Sequence, residues 1–435
     1  MLACAACSGA PHANDERGLV FHGFRLVDPN DHSVRERDLC VQRGAVCDAG
    51  ALAASASYPR VEGHGRFLLP ALWDLNVALW GNNSAKNYEE LAQEMSISQC
   101  LRVELFYGVA HVGVFGMDNQ WVRREIKRAS ALELPAAELL YPDKALAGAE
   151  QFACIPMSGS ADVSAALDAR KAAGAPYVDL FYCDPKAKLM PGLSHALLRE
   201  ALMGAQQRGL RSYVFIDTWQ RAREAAELGA SLVYGLPEGR VPNDVLEVLR
   251  AQGVVFVPAL SGVLELPRLL GDQHALGDPF LKSAVPEEIL ATFRDPKQVW
   301  SAWTPNLKRG RRDRDEVLAN VRRLAEAGVP LAQASDAGWT SGTFQGYSTH
   351  ATQAWLERAG VDPWSRLAAV TVWPARALGR RVGFAPGMPA DFVALEASPV
   401  ELAANLRRMS FVVREGRVID RASLAPDLQR QKFHP

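Results

Sequence analysis

Glycines at the ends of helical segments constrain the fold of this chain more than any other feature. Helical patterns stop at Gly209, Gly229, Gly253 and Gly328, and each runs directly into an apolar segment. A repeated helix–glycine–strand unit predicts a parallel sheet whose strands are connected by helices. About eight such units fit between residues 67 and 382, which predicts an α/β protein with a closed (β/α)8 TIM-like barrel.

A doubly wound open sheet is the alternative architecture. The barrel is favoured because no glycine-rich phosphate loop follows the first strand. The predicted strands are short apolar runs, at 108–116, 177–182, 212–216, 231–235, 254–260 and 330–335. Helical spacing with charges on one side predicts helices at 220–228 and 314–327.

The two ends of the chain are rich in short β segments. Residues 37–50 are typical of two strands joined through Arg43-Gly44, and residues 410–419 show strand, turn and strand again. Neither piece buries a face alone, so we expect both to pair into one small sheet domain. The predicted organisation is a disordered or signal-remnant segment 1–17, sheet domain 18–66, barrel 67–382, and the rest of the sheet domain with a tail at 383–435.

Charge and hydropathy exclude several classes of partner. The chain has a formal net charge of −1, with 48% hydrophobic and 22% charged residues, as expected of a globular protein with a sizeable core. It lacks a sustained basic block for nucleic acid and an apolar run that would span a membrane. We therefore expect a small-molecule substrate, no nucleic acid and no membrane span, and leave a homo-oligomer open.

Seven cysteines are spread along the chain without the spacing of a disulfide framework. An odd, scattered set predicts free thiols in a reducing compartment. Cys4 and Cys7 have the spacing of a redox or zinc pair, but no second pair accompanies them. The compartment is left undecided, with the cytoplasm preferred to export.

Residues 68–81 read LLPALWDLNVALWG. This segment resembles the start of the barrel in the amidohydrolase superfamily, where a Pro-Gly-Leu-(Ile/Trp)-Asp-x-His-x-His run closes the first strand. The resemblance extends from about Leu19 to Asp420 and is nearest to the prolidase- and imidazolonepropionase-like branch. It implies a β-sandwich formed by both chain ends beside the barrel.

The resemblance also implies where the metal ligands of this family stand. The family has two histidines that close the first strand, a carboxylated lysine on the fourth, histidines on the fifth and sixth, and an aspartate on the eighth. The residues of this chain at those positions are, in order, Asn76, Ala78, Asp179, Phe215, Tyr234 and Asp336. Zinc sites are built from His, Cys and carboxylate, whereas Mg²⁺ manages with fewer carboxylates and waters. We expect neither a metal ligand set nor any other cofactor.

Of the six ligand positions, the last keeps the family's residue, Asp336. In the family this aspartate is the base that activates water. In a pocket lined by Phe215 and Ala78, burial is expected to raise the pKa of Asp336 towards neutrality. Asp179 is expected to hold the second protonation state, and Tyr234 to donate to a developing oxyanion or a leaving group. Equally, an aspartate at a strand end often caps the following loop.

Asp336, Asp179 and Tyr234 are thus the catalytic candidates. Candidate substrate-binding residues are Asn76, Phe215, Trp80, His350 and Asp217.

Three functions are compatible with this pattern. The first is a metal-independent enzyme that carries out acid/base chemistry (isomerisation, elimination, cyclisation or hydrolysis of an activated bond) on a small organic molecule. The second is a catalytically inactive relative that acts as a binding or partner subunit. The third is a metal-dependent C–N hydrolase with an atypical ligand set. We favour the first over the second.

Overall fold

The computed structural model describes residues 18–48, 50–51, 58–79, 96–115, 126, 135–149, 154–186, 191–294, 314–340 and 342–425. Segment 1–17, with Cys4 and Cys7, and the predicted substrate-binding residue Trp80 lie outside these ranges. In the described part of the chain, every helix is too short or too polar to cross a membrane.

Strands from both ends of the chain form two sheets. They are β1 Leu19–His22, β2 Arg25–Asp28, β3 Ser33–Glu36, β4 Leu39–Gln42, β5 Ala45–Val46, β6 Arg60–Glu62, β7 Phe67–Pro70, β17 Phe392–Leu395, β18 Met409–Arg414 and β19 Arg417–Asp420. One sheet has the order β5-β4-β1-β6 and the other β19-β18-β17-β7-β2-β3. Strand β7 joins the two chain ends, since it pairs antiparallel with β17 and parallel with β2.

Phenylalanine rings fill the space shared by these two sheets. Phe21 lies edge-on to Phe24 and to Phe392, with ring centroids 6.0 and 6.3 Å apart. Phe24 makes the same kind of contact with Phe411. All four rings are buried, so each sheet covers the apolar face of the other, as expected for segments that bury no face alone.

Two tight turns confirm the strand–turn–strand patterns at the chain ends. Arg43 and Gly44 join β4 to β5 with φ of 51° and 75°, and Glu415 and Gly416 join β18 to β19 with φ of 52° and 76°. Positive φ at both central residues matches the right-handed twist of the flanking strands.

The expectation that all cysteines are free thiols is wrong for two of them. Cys40 and Cys47 form a disulfide across the β4–β5 hairpin, with their Cα atoms 5.2 Å apart. The hairpin pairing brings the two side chains together on one side of the turn, which linear spacing does not reveal. Cys100, Cys154 and Cys183 are buried.

The central part of the chain contributes parallel strands. They are β8 Leu72–Asp74, β9 Val109–Gly113, β10 Glu138–Leu140, β11 Ala145–Ala147, β12 Cys154–Pro156, β13 Val178–Tyr182, β14 Ser212–Ile216, β15 Leu232–Tyr234 and β16 Val255–Val257. They form two sheets, β10-β9-β8 and β12-β11-β13-β14-β15-β16. The predicted strand at 330–335 differs, because it makes single bridges instead of a ladder.

Segment 330–337 connects the two parallel sheets. Leu331 forms a parallel bridge with Phe256 of β16, and Ala337 forms one with Val77 just after β8. Between β10 and β11, in contrast, the pairings of the described strands include no ladder. The structure is an α/β fold with parallel strands, and complete closure of a (β/α)8 barrel stays a prediction.

Helices connect these strands, and the predicted glycines end four of them. Gly209, Gly229, Gly253 and Gly328 have φ of 68°, 85°, 62° and 74°, in the left-handed region that glycine adopts without strain. The helices are α1 Ile97–Phe106, α2 Ser160–Ala172, α3 His195–Gln207, α4 Trp219–Glu227, α5 Asn243–Gln252, α6 Leu260–Gly271, α7 Pro279–Lys282, α8 Glu287–Ala291, α9 Arg314–Glu326, α10 Tyr347–Arg358, α11 Pro363–Val370, α12 Val372–Ala377 and α13 Arg421–Leu424. Short 3-10 helices occupy Gln273–Gly277 and Ala403–Arg407.

Candidate active site around Asp336

Asp336 lies within the bridging segment 330–337, in an unusual backbone conformation. Its φ is 55°, a left-handed value that few residues other than glycine adopt. Its carbonyl oxygen accepts hydrogen bonds from the Trp339 amide at 2.9 Å and from the Thr343 hydroxyl at 2.6 Å. The turn therefore holds the aspartate in a conformation of the kind that concentrates at functional sites.

The carboxyl group of Asp336 is buried and accepts hydrogen bonds from two other predicted site residues. Its Oδ1 atom lies 2.7 Å from Nδ2 of Asn76 and 2.5 Å from the hydroxyl oxygen of Tyr234. Asn76 follows β8, and Tyr234 is the last residue of β15. The structure thus brings together three candidates, of which Asn76 and Tyr234 lie 260 and 102 positions from Asp336 along the chain.

Burial dominates the ionisation of this group. It raises the pKa of Asp336 to about 7, against the opposing hydrogen bonds from Tyr234 and Asn76. Burial and the neighbouring Asp336 carboxyl also raise the pKa of Tyr234 well above its ordinary value. Near neutral pH, Asp336 therefore exchanges a proton readily while the Tyr234 phenol keeps its own.

Gly262 supplies a contact that the sequence pattern did not predict. It lies in the first turn of α6, and its backbone N–H is a further donor to the Asp336 carboxyl. A Cβ atom at this position would lie 2.2 Å from Oδ2 of Asp336, so only glycine allows this approach. A glycine in the first turn of a helix that follows a strand was the available signal.

Asp74 orients the backbone around the site. Its Oδ1 accepts the Ser335 amide at 2.9 Å and its Oδ2 accepts the Thr349 hydroxyl at 2.7 Å. The backbone N–H of Asn76 also donates to Oδ1 of Asp74, at 3.3 Å. Asp74 therefore ties β8 to the residues that precede Asp336 and to α10, and burial raises its own pKa.

Aromatic rings line the sheet interior next to Tyr234. Phe215 is half-buried, and its ring centroid lies 5.4 Å from that of Tyr234 and 5.5 Å from that of Phe181. Phe115 packs edge-on against Phe181 at 5.1 Å. The predicted substrate-binding residue Phe215 is thus beside the Asp336 group, in largely apolar surroundings.

Asp179 lies deeper in the same sheet. In register, Asp179 pairs with Tyr213, whereas Phe181, Phe215 and Tyr234 form the next row towards the carboxyl ends of the strands. Tyr213 is fully buried, and its pKa is raised well above the ordinary value by burial and, more weakly, by charges that include Asp336 and Asp179. Tyr213 therefore interacts with both carboxyl groups, and an acid/base pair of Asp179 with Asp336 stays a prediction.

Two other predicted residues have partners elsewhere. His350 is buried, with Nε2 donating to the Tyr107 carbonyl oxygen at 2.8 Å, and burial lowers its pKa to about 3. Asp217 accepts the Asp184 amide and forms an ion pair with Arg221 on the surface of α4. These contacts explain both residues structurally and give no support to a role in substrate binding.

The residues at the family's ligand positions do not fit a metal ion. The side chains of Ala78 and Phe215 have no atom that binds a metal, and Nδ2 of Asn76 and the Tyr234 hydroxyl donate to Asp336, which leaves Oδ1 of Asn76 as one neutral oxygen ligand. Across the described residues, His, Cys, Asp and Glu side chains nowhere gather in threes that would hold a metal. We therefore derive no reaction step through a metal.

No family model and no curated relative matches the sequence. Solved structures do match. A Xaa-Pro dipeptidase with bound methionine has a TM-score of 0.70 at 16% identity, over 93% of this chain and 100% of that one. Molinate hydrolase has a TM-score of 0.70 at 17% identity, over 95% and 97% of the two chains.

Phenylurea hydrolase B, likewise, has a TM-score of 0.70 at 17% identity, over 96% of this chain and 100% of its own. Prolidases and a further amidohydrolase are also among the matching structures. At such identities the likeness concerns the fold and leaves the activity open. The resemblance read from residues 68–81 is confirmed at that level: this chain has the fold of the amidohydrolase superfamily.

Proposed function

We propose that this protein is a metal-independent enzyme that carries out acid/base chemistry on a small organic molecule, with Asp336 as the acid/base. The observation that carries the proposal is the buried Asp336 carboxyl, held by Tyr234 and Asn76 and with a pKa of about 7. A group that titrates near the working pH is efficient in both proton abstraction and proton donation. The proposal takes the parallel strands as a (β/α)8 barrel, with Asp336 at the carboxyl edge.

The contacts of the carboxyl group indicate which oxygen takes the proton. Oδ1 accepts from both Tyr234 and Asn76, so its lone pairs are occupied. Oδ2 faces Gly262 and keeps a lone pair for a substrate proton. We infer that Oδ2 removes a proton from the substrate and later returns it, while Oδ1 stays fixed.

The same donors limit the reactions that the site would accelerate. Tyr234 and Asn76 hold the Asp336 carboxylate, and neither residue is a Lewis acid that would polarise an unactivated amide. Hydrolysis of an unactivated amide places a large negative charge on the substrate oxygen. Isomerisation, elimination, cyclisation and hydrolysis of an activated bond place less charge there. The half-buried Phe215 favours a substrate with an aromatic or apolar group.

One observation favours an inactive binding or partner subunit instead. Phe115, Phe181 and Phe215 pack against one another next to Tyr234, and such packing also suits an interior that performs no chemistry. Under this alternative, Asp336 only caps the turn through Trp339 and Thr343.

The test is turnover of a panel of activated esters, lactones and α-acidic carbonyl compounds by purified wild-type protein and variants. We expect Asp336→Asn to abolish turnover of any active compound while circular dichroism shows an intact fold. Asp168→Asn is the matched control, because Asp168 is an exposed carboxylate that forms an ion pair with Arg208 and is not a site candidate. Turnover that survives in Asp336→Asn, or is absent from the wild type across the panel, would contradict the proposal.

A further inference from the structure

A cationic groove lies where the barrel strands meet the small sheet domain. Two adjoining cavities of about 360 and 220 Å³ share Arg380, Arg381, Val382 and Met388 in their walls. The larger cavity also has Trp73 of β8 and His111 of β9 in its wall. We call these two cavities the Arg381 groove.

Acidic residues next to the groove are neutralised by their neighbours. His111 lies with Nδ1 2.8 Å from Oε2 of Glu138 and with Nε2 3.3 Å from Oδ2 of Asp391. Arg380 approaches the same Glu138 oxygen at 2.7 Å, and Arg414 approaches Asp391 at 2.9 Å. Two carboxylates thus face three cationic or protonatable side chains.

Glu138 shows the effect of this arrangement. Burial opposes its ionisation, but hydrogen bonds from His111 and Arg380 outweigh burial and lower the pKa of Glu138 to about 2. The Glu138 carboxylate is therefore ionised and hydrogen-bonded to His111 and Arg380. It does not neutralise the other positive charges of the groove.

Arg376 and Arg381 supply these other positive charges. The Arg376 guanidinium lies 4.8 Å from the centroid of the Trp373 ring. The Arg381 side chain is exposed, and in the described part of the chain it makes neither an ion pair nor a hydrogen bond. Asp28 is the acid among the described lining residues, and it accepts hydrogen bonds from Asn30. The guanidinium of Arg381 is therefore left for a ligand.

Trp73 adds an unused donor to the larger cavity. Its side chain is 1% exposed, and its indole N–H has no acceptor among the described residues. The ring is held in place, because His111 stacks on it at 4.1 Å and the Arg380 guanidinium lies 5.9 Å from its centroid. A buried donor without an acceptor destabilises the folded state, and an acceptor on a ligand would offset that cost.

We propose that the Arg381 groove binds a small molecule that carries a carboxylate or phosphate next to an apolar group. Arg381 would bind the anion through its guanidinium, which presents several N–H donors in one plane. The Trp73 N–H would donate to the same ligand, and Val382 and Met388 offer apolar surface beside it. This site uses none of the residues around Asp336, so it stands whether or not Asp336 is catalytic.

The test is isothermal titration of the full chain with two probes, inorganic phosphate and benzoate, at ionic strength held constant with sodium chloride. We expect saturable binding of at least one probe at a single site. Binding of phosphate alone would assign a phosphorylated ligand, and binding of benzoate alone a carboxylate. Failure of both probes to bind the wild type would overturn the proposal.

Variants locate the site. We expect Arg381→Gln to weaken binding about tenfold, which corresponds to roughly 1.4 kcal/mol for one charge-assisted contact. Arg199→Gln, at an exposed arginine of α3, is the matched control and should bind as the wild type. Equal affinities of these two variants would overturn the proposal.

Two further variants separate this site from the Asp336 site. Trp73→Phe keeps a ring but removes the indole N–H, and we expect it to weaken binding severalfold. Asp336→Asn should leave binding unchanged. If Asp336→Asn changed the affinity for the probe as much as Arg381→Gln, the anion would lie near Asp336, and the groove assignment would be overturned. Arg381 is exposed, so the test does not depend on whether Trp73→Phe folds.

Discussion

The Tyr234 hydroxyl donates a 2.5 Å hydrogen bond to Oδ1 of Asp336, and so joins the end of β15 to the turn after segment 330–335. The resemblance of the sequence to the amidohydrolase superfamily implies a metal-binding histidine and aspartate at these two positions in that family. In this chain they are a phenol and a buried carboxyl group joined by one hydrogen bond.

The burial of Asp336 makes stability depend on pH. Its folded-state pKa of about 7 exceeds the ordinary 3.8, so the folded state keeps a proton that the unfolded state has lost. Stability from this group is complete below pH 4 and falls as the pH rises to about 7. We expect wild type to lose up to roughly 4 kcal/mol relative to Asp336→Asn over this range, as the product of 3 pKa units and 1.36 kcal/mol.

The measurement is the free energy of unfolding in urea for both proteins between pH 4 and 8. The other buried acids contribute equally to the wild type and to Asp336→Asn. The difference between their free energies of unfolding therefore reports on Asp336 alone. A difference that does not change with pH would show that Asp336 keeps an ordinary pKa.

Loss of the Tyr234 hydroxyl should move the pKa of Asp336 upward. The phenol stabilises the carboxylate form, so Tyr234→Phe removes a factor that lowers this pKa. We expect a rise of about one unit, visible in the pH dependence of turnover or in carbon-13 spectra of labelled aspartate. Tyr182→Phe is the control, since that hydroxyl donates to Glu224. Equal titration curves for Tyr234→Phe and the wild type would contradict the expected coupling.

Gly262 should tolerate no side chain. Gly262→Ala places a methyl group 2.2 Å from Oδ2 of Asp336, so either the carboxyl group or the start of α6 must move. We expect a loss of about 1–3 kcal/mol in the free energy of unfolding, together with a shifted pH profile of turnover. Gly271→Ala, at the other end of the same helix, meets nothing within 4 Å and is the matched control. Similar behaviour of the two variants would show that α6 does not hold Asp336.

Chelation tests the interpretation of the ligand positions. With Ala78 and Phe215 unable to donate, we expect protein purified without chelator to contain no stoichiometric metal, and EDTA to leave its melting temperature unchanged. Plasma mass spectrometry and thermal unfolding measure the two quantities. Near-stoichiometric zinc, manganese or iron would restore the C–N hydrolase alternative, with Asp336 and Asp179 as the expected ligands.

Local sequence patterns predicted much of the fold. The glycines at four helix ends, the Arg43-Gly44 turn and most of the parallel strands follow from short-range rules of backbone conformation. The grouping of Asn76 and Tyr234 with Asp336 followed from the family resemblance, because each stands at the end of a strand in a known order. The structure brings these three side chains together.

Linear spacing did not predict the direction of some side chains, and a role of His350 in substrate binding stays a prediction. His350 opens the helix after Asp336 as expected, but the rotation of α10 turns its ring towards Tyr107. The Cys40–Cys47 disulfide likewise depends on which side of a hairpin each cysteine faces. Linear spacing does not specify either orientation, since packing against distant residues selects it.

The sequence by itself determined the types of element, their order and the chemical character of the site, because these depend on local backbone preferences and on residue identity. Tertiary structure decided the pKa of Asp336, the approach of Gly262 and the free charge of Arg381. Each of these depends on how closely segments far apart in the chain approach one another and on how much water they exclude.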